Sequence, residues 1–447
     1  MTAGPVVGLV ADDLTGAADS AVQFARDGWT SRLVLGAGGA PLGGPGSVTA
    51  VVTDSRALPE GEARAVTAEA VRDLAEHGAE LVFVKIDSTM RGSVAAQVAG
   101  ALEAWRVGCP EAFAVVTPAY PGMGRTVVQG ALLVDGARVE TTAVGRDPVT
   151  PVATSDLSAL LPGSSSVSVT GAGGAAAAEL LAGAAASGHD VVTVDATTDG
   201  ELRTTADAVV RLGARAVPVG SAGLAVAVSR AWGAGLPAPV PVVVDRVGHV
   251  VVVVSSLHDA SRTQCEHLLR SAPESGGAPR PVVRTIAPTL DEVRSGDLAP
   301  ALARSWSPAD SAAAEVTVLL APPRDSPAPA SPDVPGGPTD AQRIAEALAV
   351  LTDGIVDERG GVDEVALVLV GGEGARAVLR RAGAEALVVR GALREGVPWG
   401  TLEGGRLHGT AVVTKAGGFG AAATITEVVT GLLDIPHRSD TEEGDPS

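Results

Sequence analysis

Two adjacent carboxylates stand where a strand-like segment meets a predicted helix. Asp12 and Asp13 follow the apolar run at residues 6–11 and precede Thr15 and a glycine in the segment VADDLTGAADS. Ligands of parallel α/β sheets bind at the carboxyl ends of strands, so both aspartates are candidates for a binding site. One carboxylate could accept a proton from a substrate hydroxyl, or the pair could hold Mg²⁺. The alternative is that Asp13 or Thr15 only caps the helix.

A second cluster of polar side chains follows another Val-rich run, in the segment VKIDSTMRG at residues 84–92. Its charged and hydroxyl-bearing members are Lys85, Asp87, Ser88, Thr89 and Arg91. The cations suit a carboxylate, whereas the hydroxyls and Asp87 suit the hydroxyls of a substrate, so the segment predicts a site for a small polyhydroxylated anion. The alternative is an ordinary strand-to-helix loop that is capped by Ser93.

Lysine is scarce in this chain. Of the 33 lysine and arginine residues, only two, Lys85 and Lys415, are lysines. An exposed lysine is usually replaceable by arginine, whereas a compact ammonium that binds a ligand is not. Both lysines are therefore candidate functional groups, and both lie in segments that other features single out.

Two glycine-rich turns lie in the second half of the chain, in VGGEGARAVL at residues 370–379 and TKAGGFGAAATI at residues 414–425. Each follows a Val-rich run and precedes a predicted helix, where backbone N–H groups and the helix dipole can bind phosphate. The candidate nucleotide-binding residues are Gly371, Gly372, Glu373, Gly374, Lys415, Gly417 and Gly418. Lys415 could reach a β- or γ-phosphate, or it could pair with a carboxylate such as Glu373. The P-loop pattern is excluded, because neither lysine follows a glycine.

Two further patterns are less specific. Arg125, in the loop TPAYPGMGRTVV at residues 117–128, is a candidate substrate-binding cation, although such arginines often form surface salt bridges. The segment SVSVTGAGGAAAAELL at residues 166–181, with Asp195 closing the next strand, resembles a dinucleotide-binding pattern around Gly171. An NAD-dependent oxidoreductase therefore stays open as an alternative function.

Short Val-rich runs alternate with Ala-rich helical stretches along the whole chain, which predicts an α/β fold with mostly parallel sheets. A Gly- and Pro-rich break divides it into a substrate domain at residues 1–232, a linker at 233–247 and a nucleotide-binding domain at 248–437. A Pro-rich loop at residues 321–340 and an acidic tail at 438–447 are predicted to be disordered.

The overall composition narrows the class of protein. A net charge of −19 disfavours nucleic-acid binding. The chain contains no apolar run long enough for a membrane span and no basic, apolar leader, so we expect a cytoplasmic protein without a membrane partner. Two cysteines, Cys109 and Cys265, form neither a disulfide framework nor a zinc motif.

Taken in order, the segments ADDLTGAAD, KIDSTMRG, TPAYPGMGRTVVQGALLVDG, GRDP, VGSAGLA and TKAGGFG make the chain resemble the four-carbon acid sugar kinase family. The family includes threonate, erythronate and 3-oxo-tetronate kinases. The resemblance implies two α/β domains with the active site in the cleft between them, and ATP and Mg²⁺ as cofactors. It places the acid sugar near Asp12 and Asp13, near Arg56 of the segment TDSR, and near the polar residues at 85–91. On the nucleotide side it adds Ser256.

The chain departs from the family pattern at two places. A Gly-Ser-x-Ser turn is usual where this chain has Ser255, Ser256, Leu257 and His258, and Gly374 stands where the family usually has threonine. The lost threonine hydroxyl could weaken a contact with phosphate or Mg²⁺. A family member without catalytic activity is therefore a further alternative.

The sequence as a whole predicts an ATP-dependent kinase that phosphorylates a hydroxyl of a small four-carbon sugar acid. Asp13, or Asp12 in its place, would act as the base or as a Mg²⁺ ligand, and Lys85 and Arg91 would hold the carboxylate of the acid. The glycine-rich turns and Lys415 would hold the phosphates of ATP. A homodimer is left open.

Overall fold

The structure, a computed structural model, describes residues 4–35, 42–147, 149–238, 247–270, 281–305, 314–322, 339–358 and 364–433. It divides into an N-terminal unit, Met1–Val240, and a C-terminal unit, Pro241–Ser447. Residues 239–246 of the predicted linker, residues 323–338 of the Pro-rich segment and the acidic tail lie outside the described residues.

A parallel sheet forms the centre of the N-terminal unit, with the strand order β2-β3-β1-β4-β11-β5-β10-β9. Its strands are β1 (Val7–Ala11), β2 (Thr30–Val34), β3 (Ser47–Val52), β4 (Leu81–Lys85), β5 (Phe113–Thr117), β9 (Ser165–Ser168), β10 (Val191–Asp195) and β11 (Ala216–Gly220). The inner strands β1, β5 and β11 are buried along their whole length, which is why they read as continuous apolar runs in the sequence.

Helices connect these strands, as the alternating sequence pattern predicts. They are α1 (Leu14–Arg26), α2 (Glu60–Glu76), α3 (Val94–Trp105), α4 (Leu157–Leu160), α5 (Gly174–Ala186), α6 (Asp199–Leu212) and α7 (Ala222–Trp232). A small antiparallel sheet of β6 (Arg125–Val128), β7 (Ala131–Val134) and β8 (Ala137–Arg138) follows β5. The sequence did not predict that sheet, because its strands are short and separated only by tight turns.

The C-terminal unit has the strand order β13-β14-β12-β15-β18-β17-β16. Its strands are β12 (His249–Val254), β13 (Val282–Ile286), β14 (Glu315–Leu320), β15 (Val365–Val370), β16 (Ala386–Arg394), β17 (Val397–Glu403) and β18 (Ala411–Lys415). Its helices are α8 (Asp259–Arg270), α9 (Leu290–Ser295), α10 (Ala299–Ser305), α11 (Asp340–Glu358), α12 (Gly372–Arg381) and α13 (Thr424–Leu433). Valines of β12, β14, β15 and β18 form its buried core.

The strands β16 and β17 form an antiparallel hairpin, and β17 also pairs antiparallel with β18, whereas the pairs among β12, β13, β14, β15 and β18 are parallel. The Val-rich run ALVVR at residues 386–390 predicts the first half of β16, but the sequence does not predict β17, because Pro398 and Gly400 are typical turn residues. In the structure Gly400 is needed at that position, since a Cβ atom there would overlap the Val388 carbonyl. Within the described residues, every helix is too short or too polar to cross a lipid bilayer.

Candidate active site

Three neighbouring strands of the N-terminal unit bring the predicted acidic and basic residues together. Ala11, the last residue of β1, is in register with Val52 of β3 on one side and with Lys85 of β4 on the other. Because the three strands are parallel, the segments that follow them start at the same edge of the sheet. These segments carry Asp12 and Asp13, Arg56, and Asp87.

Arg56 lies at the centre of this cluster and joins its carboxylates. Its Nε donates to Asp12 Oδ2 at 2.6 Å, and its Nη2 donates to Asp12 Oδ1 at 3.0 Å and to Asp13 Oδ1 at 2.8 Å. Asp87 Oδ1 lies 3.6 Å from the same Nη2. Burial works against the charge of Arg56, but the three carboxylates outweigh it and raise the pKa of the guanidinium well above its usual value. Arg56 therefore stays charged and fixes the relative positions of the carboxylates.

The two adjacent aspartates differ in their exposure to solvent. The side chain of Asp12 is 1% exposed, whereas that of Asp13 is 25% exposed. Burial raises the pKa of Asp12 above its usual value, although the charge of Arg56 opposes the shift and that of Asp13 adds to it. Asp12 is thus committed to Arg56 through both oxygens, and Asp13 is the carboxylate that a ligand can reach.

Asp13 also caps helix α1, so the structural role considered in the sequence analysis is real. Its Oδ1 accepts a hydrogen bond from Gly16 N at 2.9 Å, and its Oδ2 accepts one from Thr15 Oγ1 at 2.6 Å. Burial alone would raise the pKa of Asp13, but the charges of Arg56 and Lys85 and the Thr15 hydrogen bond together lower it. Asp13 is therefore ionised at neutral pH, as a proton acceptor must be.

Asp87 is saturated by its own loop. It accepts hydrogen bonds from the backbone and hydroxyl of Thr89 and from the Nε of Arg91 at 3.0 Å, and Arg91 Nη2 donates to its second oxygen at 2.8 Å. Although Asp87 is buried, the charges of Arg56 and Arg91 and these hydrogen bonds hold its pKa well below the usual range. Asp87 therefore positions Arg91, whose side chain is one-third exposed, rather than offering a free oxygen to a ligand.

Lys85 is buried at the end of β4 beside the capped turn of α1. A Cβ atom on Gly16 would lie 2.5 Å from both Lys85 Nζ and Asp13 Oδ1, so this glycine leaves room for the ammonium next to the carboxylate. Lys85 is 5% exposed, and no group in the described ranges accepts a hydrogen bond from its Nζ. The half-buried Ser88 is likewise without a hydrogen-bond partner in those ranges. Both groups are therefore available to a ligand.

Gly92 lets the 85–92 loop approach the turn that carries Arg56. Its φ is +86°, and a Cβ atom there would overlap the Arg56 carbonyl and lie 2.9 Å from Arg56 Cγ. The neighbouring Ser93 makes no capping hydrogen bond to α3, and its hydroxyl donates to the Leu58 carbonyl at 2.7 Å instead. Ser93 therefore does not provide the α3 cap that the sequence analysis considered. Its hydrogen bond to Leu58 instead joins the 85–92 loop to the turn that carries Arg56.

Two of the sequence-identified features lie apart from this cluster. Arg125 donates to the carbonyl of Met123, and none of its hydrogen bonds or ion pairs within the described residues joins the Arg56 cluster. Asp195, the carboxylate of the dinucleotide-like pattern, accepts from Gln129 N and Gly130 N at 2.9 Å each. Because Asp195 is occupied by this turn and its strand pairs with the terminal strand β9, the geometry disfavours a ribose-binding role.

A second candidate site lies at the carboxyl ends of three strands of the C-terminal unit. Val370 of β15 is in register with Val254 of β12 and with Lys415 of β18, so the segments after these strands start side by side. Gly371, with φ +102°, donates its N–H to the Lys415 carbonyl at 3.0 Å. Helix α12 begins at Gly372, and the N–H groups of Gly372 and Glu373 in its first turn have no partner inside the helix.

Helix α8 holds the second glycine-rich turn in place. Ser261 Oγ donates to the Gly417 carbonyl at 2.6 Å, and Gln264 Nε2 donates to the Phe419 and Gly420 carbonyls at 2.9 Å each. A Cβ atom on Gly417 would overlap Ser256 Oγ, so Ser256 lies directly against this turn. The sequence analysis missed Ser261 and Gln264, because isolated polar residues on a helix carry no motif.

Lys415 is 1% exposed, and its Nζ donates to the Ala416 carbonyl at 2.8 Å. Burial lowers the pKa of Lys415 to about 8. Its side chain forms no ion pair with Glu373 or another carboxylate within the described residues, so the structural pairing considered in the sequence analysis is not found there. A buried cation without a counter-ion beside two glycine-rich turns is suited to an anionic ligand.

The predicted Mg²⁺ site at Asp12 and Asp13 does not fit the geometry. Both oxygens of Asp12 bind Arg56, which also binds Asp13 Oδ1, so the two aspartates share a guanidinium and not a metal ion. Asp13 Oδ2, which accepts from Thr15 Oγ1, is the oxygen that a substrate hydroxyl can approach. In the part of the chain that the structure describes, no group of three His, Cys, Asp or Glu side chains is arranged to hold a metal ion. The guanidinium of Arg56 occupies the place between the carboxylates that a cation would take.

Comparisons with known proteins decide the family. Residues 7–228 match the model of a sugar-binding N-terminal domain, and residues 251–425 match that of a nucleotide-binding C-terminal domain. The chain is 39% identical over 421 residues to a D-threonate kinase of Bordetella bronchiseptica, covering 93% of this chain and 95% of that protein. The chain belongs to the four-carbon acid sugar kinase family. The family predicted from the sequence is thereby confirmed, and the relatives' names support a kinase.

Other relatives agree with this assignment. The kinase is 30% identical over 427 residues to a 3-oxo-tetronate kinase of Methylobacterium radiotolerans, covering 93% of this chain and 96% of that protein. A solved structure from Salmonella typhimurium, described as a putative tRNA synthase, has the same fold, with a TM-score of 0.74 and 23% identity over 94% of this chain and 98% of that one. The predicted two-domain α/β fold is thus confirmed.

Proposed function

We propose that this kinase transfers the γ-phosphoryl group of ATP to a hydroxyl of a four-carbon sugar acid. The observation that carries the proposal is the buried Lys85, without a hydrogen-bond partner in the described residues, beside the ionised Asp13. One group suits the carboxylate of an acid and the other suits the hydroxyl that attacks.

On the acid side, Lys85 and Arg91 bind the substrate carboxylate, and Ser88 donates a hydrogen bond to a neighbouring oxygen. Asp13 accepts the proton of the attacking hydroxyl while the hydroxyl oxygen forms its bond to the γ-phosphorus and the bond to the leaving ADP breaks. Asp12 and Arg56 do not react, since they hold Asp13 in position. Arg125 has no role in this proposal.

On the nucleotide side, the free N–H groups of Gly372 and Glu373 and the turn at Gly417 and Gly418 bind the phosphates of ATP. Lys415 supplies the positive charge, which it can do at neutral pH because its pKa is about 8. The relatives' kinase names and the nucleotide-binding domain match support ATP as the donor.

The higher identity to a D-threonate kinase than to a 3-oxo-tetronate kinase supports D-threonate as the first acid to test. The test measures ADP release from ATP–Mg²⁺ with D-threonate, D-erythronate and 3-oxo-tetronate. ADP release with at least one acid supports the proposal. ATP binding without ADP release for any acid would favour the inactive family member, and a thermal shift with NAD alone would favour the oxidoreductase.

Lys85→Ala is expected to raise KM for the acid roughly 10- to 100-fold while leaving KM for ATP within about twofold, because a charge-assisted contact to the carboxylate is lost. Steady-state kinetics with each substrate varied in turn checks this. Arg64→Ala, which removes an exposed arginine that is paired with Glu103, is the matched control and should change neither value. Equal increases in both KM values would contradict the division of roles.

Gly92→Ala is expected to lower Tm and to reduce kcat/KM for the acid at least tenfold, because the added methyl group must push Arg56 away from the aspartates. Strain of this kind typically costs roughly 1–3 kcal/mol. Gly163→Ala is the matched control, since its φ is +82° but its Cβ would have open space. Gly163→Ala should lower Tm through the strained backbone but leave kcat/KM for the acid unchanged. Equal losses of kcat/KM in both variants would refute this interpretation.

The homodimer and the cytoplasmic location remain predictions that rest on the sequence. Light scattering after size-exclusion chromatography tests the first, and fractionation of the producing cells tests the second.

A further inference from the structure

Ser255 fills the space over the first turn of α12 that a side chain at position 374 would occupy. A Cβ atom on Gly374 would overlap Ser255 Cβ and lie 2.5 Å from Ser255 Oγ. A side chain at 374 and a side chain at 255 therefore exclude each other. The glycine at 374 and the serine at 255 are thus two halves of one local arrangement.

The hydroxyl of Ser255 also replaces the cap that α12 lacks. The N-cap residue Gly371 has no side chain, and Gly374 N donates to Ser255 Oγ at 3.1 Å. The cap therefore comes from the residue that follows β12 and not from the helix itself. It places the hydroxyl in the first turn of α12, in which the N–H groups of Gly372 and Glu373 have no partner inside the helix.

The proton of this hydroxyl is available to a ligand. The Ser255 hydroxyl donates to the Val370 carbonyl at 3.2 Å, although this oxygen also accepts from Ser255 N at 3.0 Å and from Ser256 N at 3.4 Å. A carbonyl oxygen has two lone pairs, so this third donor is redundant there. The alternative acceptor, Gly371 O, is at 3.5 Å. Turning the hydroxyl proton towards a phosphate oxygen would therefore leave no protein group unsatisfied.

We propose that Ser255 is a phosphate-binding residue of the nucleotide site, and that it supplies from the turn after β12 the hydroxyl that Gly374 cannot supply from α12. The inference rests on the proposed binding of ATP at this turn. It also predicts that the two positions are coupled, so that a hydroxyl can be carried by either one but not by both.

The test is a double-mutant cycle on the full-length protein with Ser255→Gly, Gly374→Thr and the double variant. Calorimetry measures the Kd of ATP–Mg²⁺, and a melting curve follows the fold. We expect Ser255→Gly to raise Kd roughly tenfold or more, since a charge-assisted hydrogen bond is lost. Gly374→Thr alone should also raise Kd and lower Tm, because its side chain collides with Ser255. The double variant should return Kd to within about threefold of the wild type.

Two controls separate a phosphate contact from a purely structural role. Ser255→Ala keeps the Cβ atom and removes only the hydroxyl, so it should weaken ATP binding without changing the affinity for the acid. If Ser255 served only as the cap of α12, Ser255→Ala would lower Tm and leave the Kd of ATP–Mg²⁺ unchanged. That result would overturn the proposal. Losses that simply add in the double variant would also overturn it. A wild-type protein that does not bind ATP would refute the proposed function as well, whereas normal wild-type binding with unaffected variants would refute only this inference.

Discussion

Asp13→Asn is expected to reduce kcat by roughly 10²- to 10⁴-fold, the usual contribution of a general base. Asparagine is nearly isosteric with aspartate and is an equally good N-cap, so the hydrogen bond from Gly16 N can persist. Tm should fall less than in Asp12→Asn, because Arg56 keeps both of its bonds to Asp12. The main loss should therefore appear in turnover. Single-turnover kinetics with the best acid, beside a melting curve, measures both.

Asp12→Asn is the matched control, because it changes the adjacent carboxylate that lies against Arg56. Removing one partner of a buried ion pair typically costs about 3–5 kcal/mol, so this variant should lose several degrees in Tm. An Asp13→Asn protein that kept a near wild-type kcat would show that Asp13 serves only as a cap. A large fall in kcat for Asp12→Asn with an unchanged Tm would reverse the roles of the two aspartates.

Lys415→Met is expected to abolish tight ATP binding and to stabilise the ligand-free protein. Methionine has a similar shape but requires no buried charge. The displacement of the Lys415 pKa to about 8, from the 10.5 expected of an exposed lysine, corresponds to roughly 3 kcal/mol at neutral pH. Removing this penalty should raise Tm by several degrees. Calorimetry should give a Kd for ATP–Mg²⁺ at least tenfold higher than that of the wild type.

The lowered pKa of Lys415 also determines how the stability of the folded protein depends on pH. Between pH 8 and 10.5 the unfolded chain keeps a proton on Lys415 that the folded chain has released, so the stability of the wild type rises with pH through this window. Below pH 8 both states carry the proton and the penalty is complete. The stability advantage of Lys415→Met should therefore shrink as pH rises above 8. ATP affinity of the wild type should fall over the same range, with proton uptake on binding.

Lys415→Arg serves as the second variant, because it keeps the charge but changes its shape. It should restore ATP binding only in part, since a planar guanidinium fits a tight glycine turn poorly. If Lys415 had a structural role alone, both variants would lose Tm and keep their affinity for ATP. Unchanged ATP affinity in Lys415→Met would remove the residue from the nucleotide site.

The sequence was sufficient to identify most of the segments that form the candidate sites of the two units. Carboxylates, cations and glycines at the ends of Val-rich runs are local features, and a parallel α/β sheet brings the ends of its strands to one edge. Asp13, Lys85 and Lys415 could thus be identified without coordinates. Arg56 came from the family resemblance, because one arginine after a strand carries no specific signal.

The roles within the N-terminal cluster depend on contacts that the sequence does not specify. Asp12 and Asp13 are chemically identical neighbours, yet Arg56 buries the first and leaves the second accessible. Asp87 was predicted to bind substrate hydroxyls, but its loop saturates it with hydrogen bonds. The contacts of Asp12 and Asp13 do not fit the predicted Mg²⁺ site either, since the guanidinium of Arg56 binds both carboxylates.

The sequence by itself determined the family, the alternation of strands and helices, and the residue types available for kinase chemistry. Only the tertiary structure decided which side chains face each other, such as Ser255 over Gly374, two residues 119 positions apart. The physical reason is that hydrophobic periodicity depends on neighbours along the chain, whereas these contacts depend on the order of the strands in the sheet. The order of the strands is determined by the packing of segments that are distant in the sequence, so local hydrophobic patterns do not predict it.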